Sequence, residues 1–325
     1  MTLVTAKIET WPLRETFRIS RGSRTEARVV VATISDGQHI GRGEGAPIRR
    51  YDQTPESVLA QIESIKQETN LTRQLLQHLL PPGAARNAID CALWDLEAKR
   101  SGKRVWELAH ISTVSEVPTS FTISLNDPEQ MGRSASAHSE APILKLKLGG
   151  DALDVSRVEA VRRAAPNSRL LIDANESWSP EHYLQVAPKL QEIGVELIEQ
   201  PFPANADDVL ETLDHPVAVC ADESCHTTAD LPRLKNQYEV INVKLDKTGG
   251  LTEALRLCEE ARAVGFKLLI GCMVGTSLGM APARLLASNA DFADLDGPLL
   301  LARDQDHSLQ YANGKIGLPS PELWG

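Results

Sequence analysis

Six charged residues between Lys145 and Lys244 close a series of short apolar runs. KLKL holds Lys145 and Lys147, LLIDANES holds Asp173, ELIEQP Glu199, VCADES Asp222 and INVKLD Lys244. Carboxylates brought together in one site repel one another and need a cation. Oxygen ligands without His or Cys favour a hard ion such as Mg²⁺, which keeps positions for water or substrate. A metal flanked by two lysines suits proton transfer beside a substrate carboxylate. The metal takes up the charge that develops on the oxygens, one lysine removes the α-proton and the other can return one.

The spacing says which elements must position these groups. The steps are 173−147 = 26, 199−173 = 26, 222−199 = 23 and 244−222 = 22. Each leaves room for a strand of about five residues, two short loops and a helix of about three turns. Such a rhythm of apolar, β-branched runs and helical stretches reads as successive βα units of a parallel barrel. It extends upstream to Thr122 in PTSFTISL, at 147−122 = 25, and downstream to Gly271 and Asp294, at 271−244 = 27 and 294−271 = 23. Eight strands result. Catalytic groups of such barrels sit at the C-terminal strand ends, where all these charges fall.

Strands two and six of eight are diametrically opposite, so Lys147 and Lys244 should face each other across the mouth. Asp173, Glu199 and Asp222 lie on the arc between them. Lys145 shares the inward face with Lys147, about 6.6 Å away along the strand, and is expected to tune and position rather than transfer protons. Asp294 and Asp296 share one face of strand eight, opposite Glu199, where they would suit a substrate ammonium. A dipeptide, about 7 Å long, could reach from the metal to them. Taken singly, these residues have plainer readings. KLKL could be an exposed edge strand, each acid a helix N-cap, and Lys244 a partner of Asp246. Five motifs in order at barrel spacing outweigh them.

KLK (145–147), DANESW (173–178), EQP (199–201), ADES (221–224) and NVKLDKTGG (242–250) together resemble the muconate lactonising enzyme subgroup of the enolase superfamily. DLDGP (294–298) and RGSR (21–24) are similar to the dipeptide epimerases within it. The resemblance spans nearly the whole chain. It implies an α/β fold, a modified TIM-like (β/α)7β barrel over 116–300, capped by an α+β domain at 1–115. Residues 301–325 would return to the cap. It also implies one Mg²⁺ per subunit and epimerisation of L-Ala-D/L-Glu dipeptides by proton transfer at the C-terminal residue's α-carbon, through an ene-diolate. The stretch 19–27 is expected to be a loop. By itself it reads as two solvated arginines, Arg21 and Arg24; the resemblance implies that Arg24 holds the glutamate side chain, which the guanidinium fork fits. Murein peptide recycling and a homo-oligomer are also compatible with it.

Composition sets the outer bounds. At 325 residues, 42% hydrophobic and 24% charged, the chain can hold one barrel and a smaller domain. A net charge of −10 argues against nucleic acid and anionic membrane as partners. The start, MTLVTAKIETW, lacks a secretory pattern, and five cysteines without CxxC spacing read as reduced thiols; both suggest the cytoplasm. Residues 1–115 break the barrel rhythm. Strands are expected at 3–11, 27–34 and 39–47 and helices at 55–68, 71–80 and 84–100, with Thr54-Pro55 as a helix start. The segment 309–318 reads as a hairpin about Asn313-Gly314, packed on the first domain.

Three rival functions are weighed. Cycloisomerisation or β-elimination to o-succinylbenzoate would have no use for the acids of DLD, since neither substrate carries an ammonium. A Schiff-base lysine would be trapped by borohydride. A non-catalytic metal-holding protein would not need two opposed lysines.

Overall fold

Three antiparallel strands, Leu3–Ile19, Gly22–Ser35 and Ile40–Gly45, begin the chain in the computed structural model. The structure describes residues 3–112 and 114–325. The helices Pro55–Ser64, Arg73–Leu79 and Ala84–Ser101 follow. Thr54 caps the first of them, accepting from Ser57 N at 3.1 Å, with Pro55 in the first turn. That helix stops at Ser64, short of the 68 expected. The glycines of IGRGEG show how the sheet meets the helix Ala84–Ser101. A Cβ at Gly41, Gly43 or Gly45 would lie 2.1, 2.2 or 2.1 Å from the carbonyl oxygen of Ala92, Ala88 or Ala84. Glycines at alternate strand positions thus meet alanines four residues apart on the helix, backbone against backbone.

The expected loop at 19–27 is instead a tight hairpin. Ile19 pairs with Gly22, Arg18 with Ser23 and Phe17 with Arg24, so Ser20 and Arg21 form the tip. The register breaks between Pro12 and Phe17, where proline interrupts an edge strand. The freed backbone pairs elsewhere: Ala302 N donates to Pro12 O at 2.8 Å and Leu125 N to Arg18 O at 3.1 Å. Those bonds seat the hairpin on the barrel rim.

Eight strands form the parallel sheet in chain order: Ser120–Ile123, Ile143–Lys147, Arg169–Asp173, Val195–Glu199, Ala218–Ala221, Val240–Val243, Lys267–Gly271 and Phe292–Asp294. Side chains close the seam between eighth and first. Leu295 N donates to Thr119 Oγ1 at 2.9 Å and Thr122 N to Asp296 Oδ2 at 2.6 Å. Ile143, Leu171, Leu197, Cys220, Val240 and Leu269 fill the barrel interior, while Leu144, Leu146, Ile172, Ile198 and Val219 face the surrounding helices. This alternation fixes which residues point inward.

The helices depart from the uniform three turns that the spacing suggested. Pro128–Ala137, Asp154–Ala164 and Pro180–Ile193 follow the first three strands. The fourth is followed only by the 3₁₀ segment Asp208–Thr212, and the fifth by the 3₁₀ turn Thr228–Asp230 and the single turn Leu231–Leu234. Their steps are 23 and 22 residues, but the seventh unit, also of 23, holds the full helix Ser277–Ala287, so the step alone does not set the helix length. Leu251–Ala263 and Ser277–Ala287 complete the ring, and the eighth strand leads into the 3₁₀ turn Gly297–Leu300 with no α-helix after it among the described residues. The fold is therefore a (β/α)7β barrel.

The hairpin about Asn313-Gly314 does not pack on the first domain. Its strand Lys315–Ile316 pairs with Val117–Pro118, at the entry to the barrel. The last residues do reach the cap: Trp324 Nε1 donates to Cys91 O at 3.0 Å and Gly325 N to Asp95 Oδ1 at 2.8 Å. Among the described residues no helix is long and apolar enough to cross a membrane, and all five cysteines are free thiols.

Candidate active site

Every inward position follows from strand alternation. Ile143, Lys145 and Lys147 face the axis, as do Leu171 and Asp173, Leu197 and Glu199, and Val240 and Asn242. One ligand atom from each of Asp173, Glu199 and Asp222 falls within a sphere where all lie no more than 4.8 Å apart, and all three residues are buried. The triad read from the sequence is thus assembled.

Both lysines border it. Lys147 Nζ lies 2.5 Å from Asp173 Oδ2, and Lys244 Nζ 2.6 Å from Asp222 Oδ2. They approach from the second and sixth strands, from opposite sides. Lys244 makes no pair with Asp246, which accepts instead from Ala46 N and Asn87 Nδ2, both at 2.8 Å. Lys145 is 1% exposed and touches Glu199 at 2.6 Å, Asp294 at 2.7 Å and Asp173 at 3.3 Å. Its carboxylate neighbours overcome burial and hold the ammonium charged. Lys145 is thus placed as a counter-ion to Asp173, Glu199 and Asp294.

Electrostatics sort the carboxylates. Burial would raise Asp222, but Lys244 and Lys247 hold it well below the usual range. Burial would likewise raise Asp173, and Lys147 and Lys145 hold it low. Glu199 is pushed up to about 7 by burial and by Asp173. Among the described residues its Oε2 accepts no hydrogen bond, although Lys145 Nζ lies 2.6 Å from it. Three clustered oxygen donors, one lacking a hydrogen bond, fit a hard divalent cation.

Some site residues escaped the sequence reading. Lys247, 2% exposed, reaches Asp222 Oδ1 at 2.7 Å and Asn242 O at 2.9 Å. Asn242 Nδ2 holds Glu199 Oε1 at 2.8 Å. Gln200, at φ 36°, accepts from both Asp222 N and Ser224 N and so ties the fourth strand end to the fifth. Alternation two residues before Lys244 points to Asn242. Nothing local marks Lys247, which lies beyond the strand, in the turn Leu245–Thr248.

A cavity of about 640 Å³ stands over the triad. Its floor includes Lys147 and Lys244, its far wall Asp294 and Asp296, and its roof Arg24 and Tyr51 from the first domain. Asp294 accepts from Lys145 at 2.7 Å and from Ser120 at 2.5 Å, so both its oxygens are engaged. Asp296 has one oxygen on Thr122 N, and its carboxyl is pushed up to about 7 by burial and by Asp294. Among the cavity's arginines, Arg21 is paired with Glu223, Arg28 with Glu56 and Arg50 with Glu176. Arg24 and Arg49 have no carboxylate partner among the described residues, and Arg24 lies 5.4 Å from the Phe17 ring centre. Cys272, Met273 and Val274 form a further wall of the cavity.

A barrel mouth with a carboxylate triad between opposed lysines defines an acid–base enzyme with a site for a divalent metal. The N-terminal domain model for mandelate racemase/muconate lactonizing enzymes matches residues 1–109, and the enolase C-terminal domain-like model matches 130–321. The chain belongs to this family of the enolase superfamily. It is 47% identical to the L-Ala-D/L-Glu epimerase of Escherichia coli (strain K12) over 314 residues, covering 95% of this chain and 98% of that one. It is 42% identical to the N-acetyl-D-glutamate racemase of a Pseudoalteromonas species, covering 91% and 95%. Among solved structures it resembles an enolase family member from Agrobacterium tumefaciens with homology to dipeptide epimerases, which holds sodium and L-Ala-L-Glu. There the TM-score is 0.98 at 49% identity, over the whole of both chains. A dipeptide epimerase from Cytophaga hutchinsonii, solved with Mg and D-Ala-L-Val, superposes with TM-score 0.92 at 25% identity, covering 98% and 93%.

Proposed function

We propose that this chain epimerises L-Ala-D/L-Glu dipeptides at the α-carbon of the C-terminal residue, with Mg²⁺ held by Asp173, Glu199 and Asp222. The observation that carries the reading is the placement of Lys147 and Lys244 on opposite sides of the triad, in a cavity whose roof presents Arg24. When bound, Mg²⁺ supplies positive charge for the carboxylate oxygens as the α-proton leaves. Lys147 and Lys244 are the acid–base pair, one per face of the α-carbon. Lys145 anchors Glu199 and Asp294. Arg24 receives the glutamate side chain, and with no carboxylate partner among the described residues its fork is available. Asp296 takes the N-terminal ammonium, with Asp294 adding charge from behind. The chemistry fits murein peptide recycling in the cytoplasm.

A second reading is racemisation of an N-acylated glutamate. It draws on Asp294, whose oxygens are both taken, leaving less anionic capacity for an ammonium than two open acids would. Incubation of the Mg²⁺-loaded enzyme in ²H₂O with L-Ala-L-Glu and with N-acetyl-L-glutamate separates the two. Dipeptide epimerisation gives α-deuteration of Ala-Glu at the higher kcat/KM. Deuteration of the acetylated amino acid alone would establish the second reading.

A further inference from the structure

Arg21, at the hairpin tip, reaches two loops that follow metal-ligand positions. Its Nη2 donates to Glu223 Oε1 at 2.6 Å, and its Nη1 to Asn175 O at 2.8 Å and Glu176 Oε2 at 3.0 Å. Ser20 Oγ adds a bond to Asn175 O at 3.2 Å. Glu223 directly follows Asp222. Asn175 lies two residues past Asp173, and its N–H donates to Asp173 Oδ1 at 2.9 Å. The loop after Asp173 is held where side chains are disfavoured, with φ 46° at Asn175 and 66° at Glu176. Such a conformation persists only where surrounding contacts over-determine it. Arg50 adds a second hold on the same loop, gripping Glu176 at 2.8 and 3.0 Å. The guanidinium fork of Arg21 spans the two loops as one ammonium could not.

We infer that Arg21 is a positioning residue for the metal. Seated from the first domain, it clamps the loops behind Asp173 and Asp222 and keeps those two carboxylates in ligand geometry. The hairpin and the cation then bind cooperatively, each stabilising the seating of the other. The inference rests on the proposed ligand triad, and it makes this hairpin, which also carries Arg24, a determinant of cation affinity.

The sign of the effect separates this role from simple electrostatics. Arg21 is a positive charge near the triad, so its loss alone should strengthen cation binding. Loss of positioning should weaken it, by about 10- to 100-fold, as removal of outer-shell partners of metal ligands does. Mn²⁺ binding to the metal-stripped full chain, without dipeptide, is measured by titration calorimetry and by the EPR signal of free Mn²⁺. Arg21→Gln is expected to bind Mn²⁺ at least about tenfold more weakly. Arg21→Lys, which restores the charge but not the fork, is expected to remain weak. Arg18→Gln, at an exposed position of the same hairpin outside the cavity lining, should stay within about twofold of the native chain. In amide hydrogen exchange, Mn²⁺ should slow exchange across residues 17–24 of the native chain and not of Arg21→Gln. Unchanged or tighter Mn²⁺ binding by a folded Arg21→Gln would overturn the inference, as would full rescue by lysine. A native chain that bound no Mn²⁺ would bring down the ligand triad together with it.

Discussion

Lys145 Nζ lies 2.7 Å from Asp294 Oδ2, joining the second barrel strand to the eighth across the floor of the mouth. That pair divides the two acids of DLD. Asp294 is spent on a lysine and a serine, whereas Asp296 keeps an oxygen toward the cavity. Asp296→Asn should raise KM for Ala-Glu with little change in kcat, because the ammonium loses its nearest partner. Asp294→Asn should instead lower kcat, by freeing Lys145 to disturb Glu199. Steady-state kinetics on both variants test the split; matching KM effects with unchanged kcat would mean that the two acids act as one.

The carboxylate triad predicts a strict metal requirement. Chelation should abolish α-proton exchange, and Mg²⁺ should restore it. Asp173→Asn should lose Mn²⁺ affinity in calorimetry while its circular dichroism stays native. Full exchange in a metal-free preparation would remove the metal from the mechanism.

The opposed lysines predict stereochemically divided defects. Lys147→Ala and Lys244→Ala should each stop epimerisation. Each should spare deuterium uptake by one epimer of Ala-Glu, the one whose α-proton faces the surviving lysine. NMR in ²H₂O reads this directly, and free exchange of both epimers by either variant contradicts a two-base site.

Glu44 predicts a pH-dependent junction between the domains. It is 3% exposed and accepts from Thr276 N at 2.9 Å and from Thr276 Oγ1 at 2.5 Å, at the start of the helix Ser277–Ala287. Burial, with smaller contributions from Asp246 and Glu9, pushes its carboxyl up to about 8 against the pull of Thr276. A raised carboxyl favours the folded state while protonated. Its contribution is complete below the unfolded value near 4.5 and declines as pH rises, until it is lost above about 8. Glu44→Gln removes that titration. The Tm of Glu44→Gln minus that of the native chain should therefore rise between pH 5 and pH 9, and a flat difference would refute the assignment.

Arg24 predicts where substrate preference is decided. The lysines and the triad act on any dipeptide α-carbon, so selection of glutamate needs a group in the roof. A charge-assisted hydrogen bond contributes about 1.5–3 kcal/mol, or about 10- to 150-fold in kcat/KM. Arg24→Met should lower kcat/KM for Ala-Glu by that factor and leave Ala-Met and Ala-Leu unchanged or improved. A uniform loss on all dipeptides would make Arg24 a loop-ordering residue instead.

The sequence by itself determined the barrel and its inward groups. Strand alternation and a near-constant step fix both from local pattern, because a residue two positions from an inward one must also point inward. Lys145, Lys147, Asp173, Glu199 and Asp222 were legible for that reason, and Asn242 could have been. Contacts between elements far apart in the chain were not legible. The pairing of Lys145 with Asp294, the reach of Lys247 back to Asp222 and the grip of Arg21 on Glu223 depend on side-chain geometry at the seams, which no spacing encodes. The stretch 19–27 shows the same limit. Polar and glycine-bearing, it reads as a loop, and only the tertiary structure makes it a hairpin. The strand leading into it bonds through Arg18 to Leu125 and through Pro12 to Ala302 once barrel and first domain have come together, and those bonds bring Arg21 and Arg24 over the mouth.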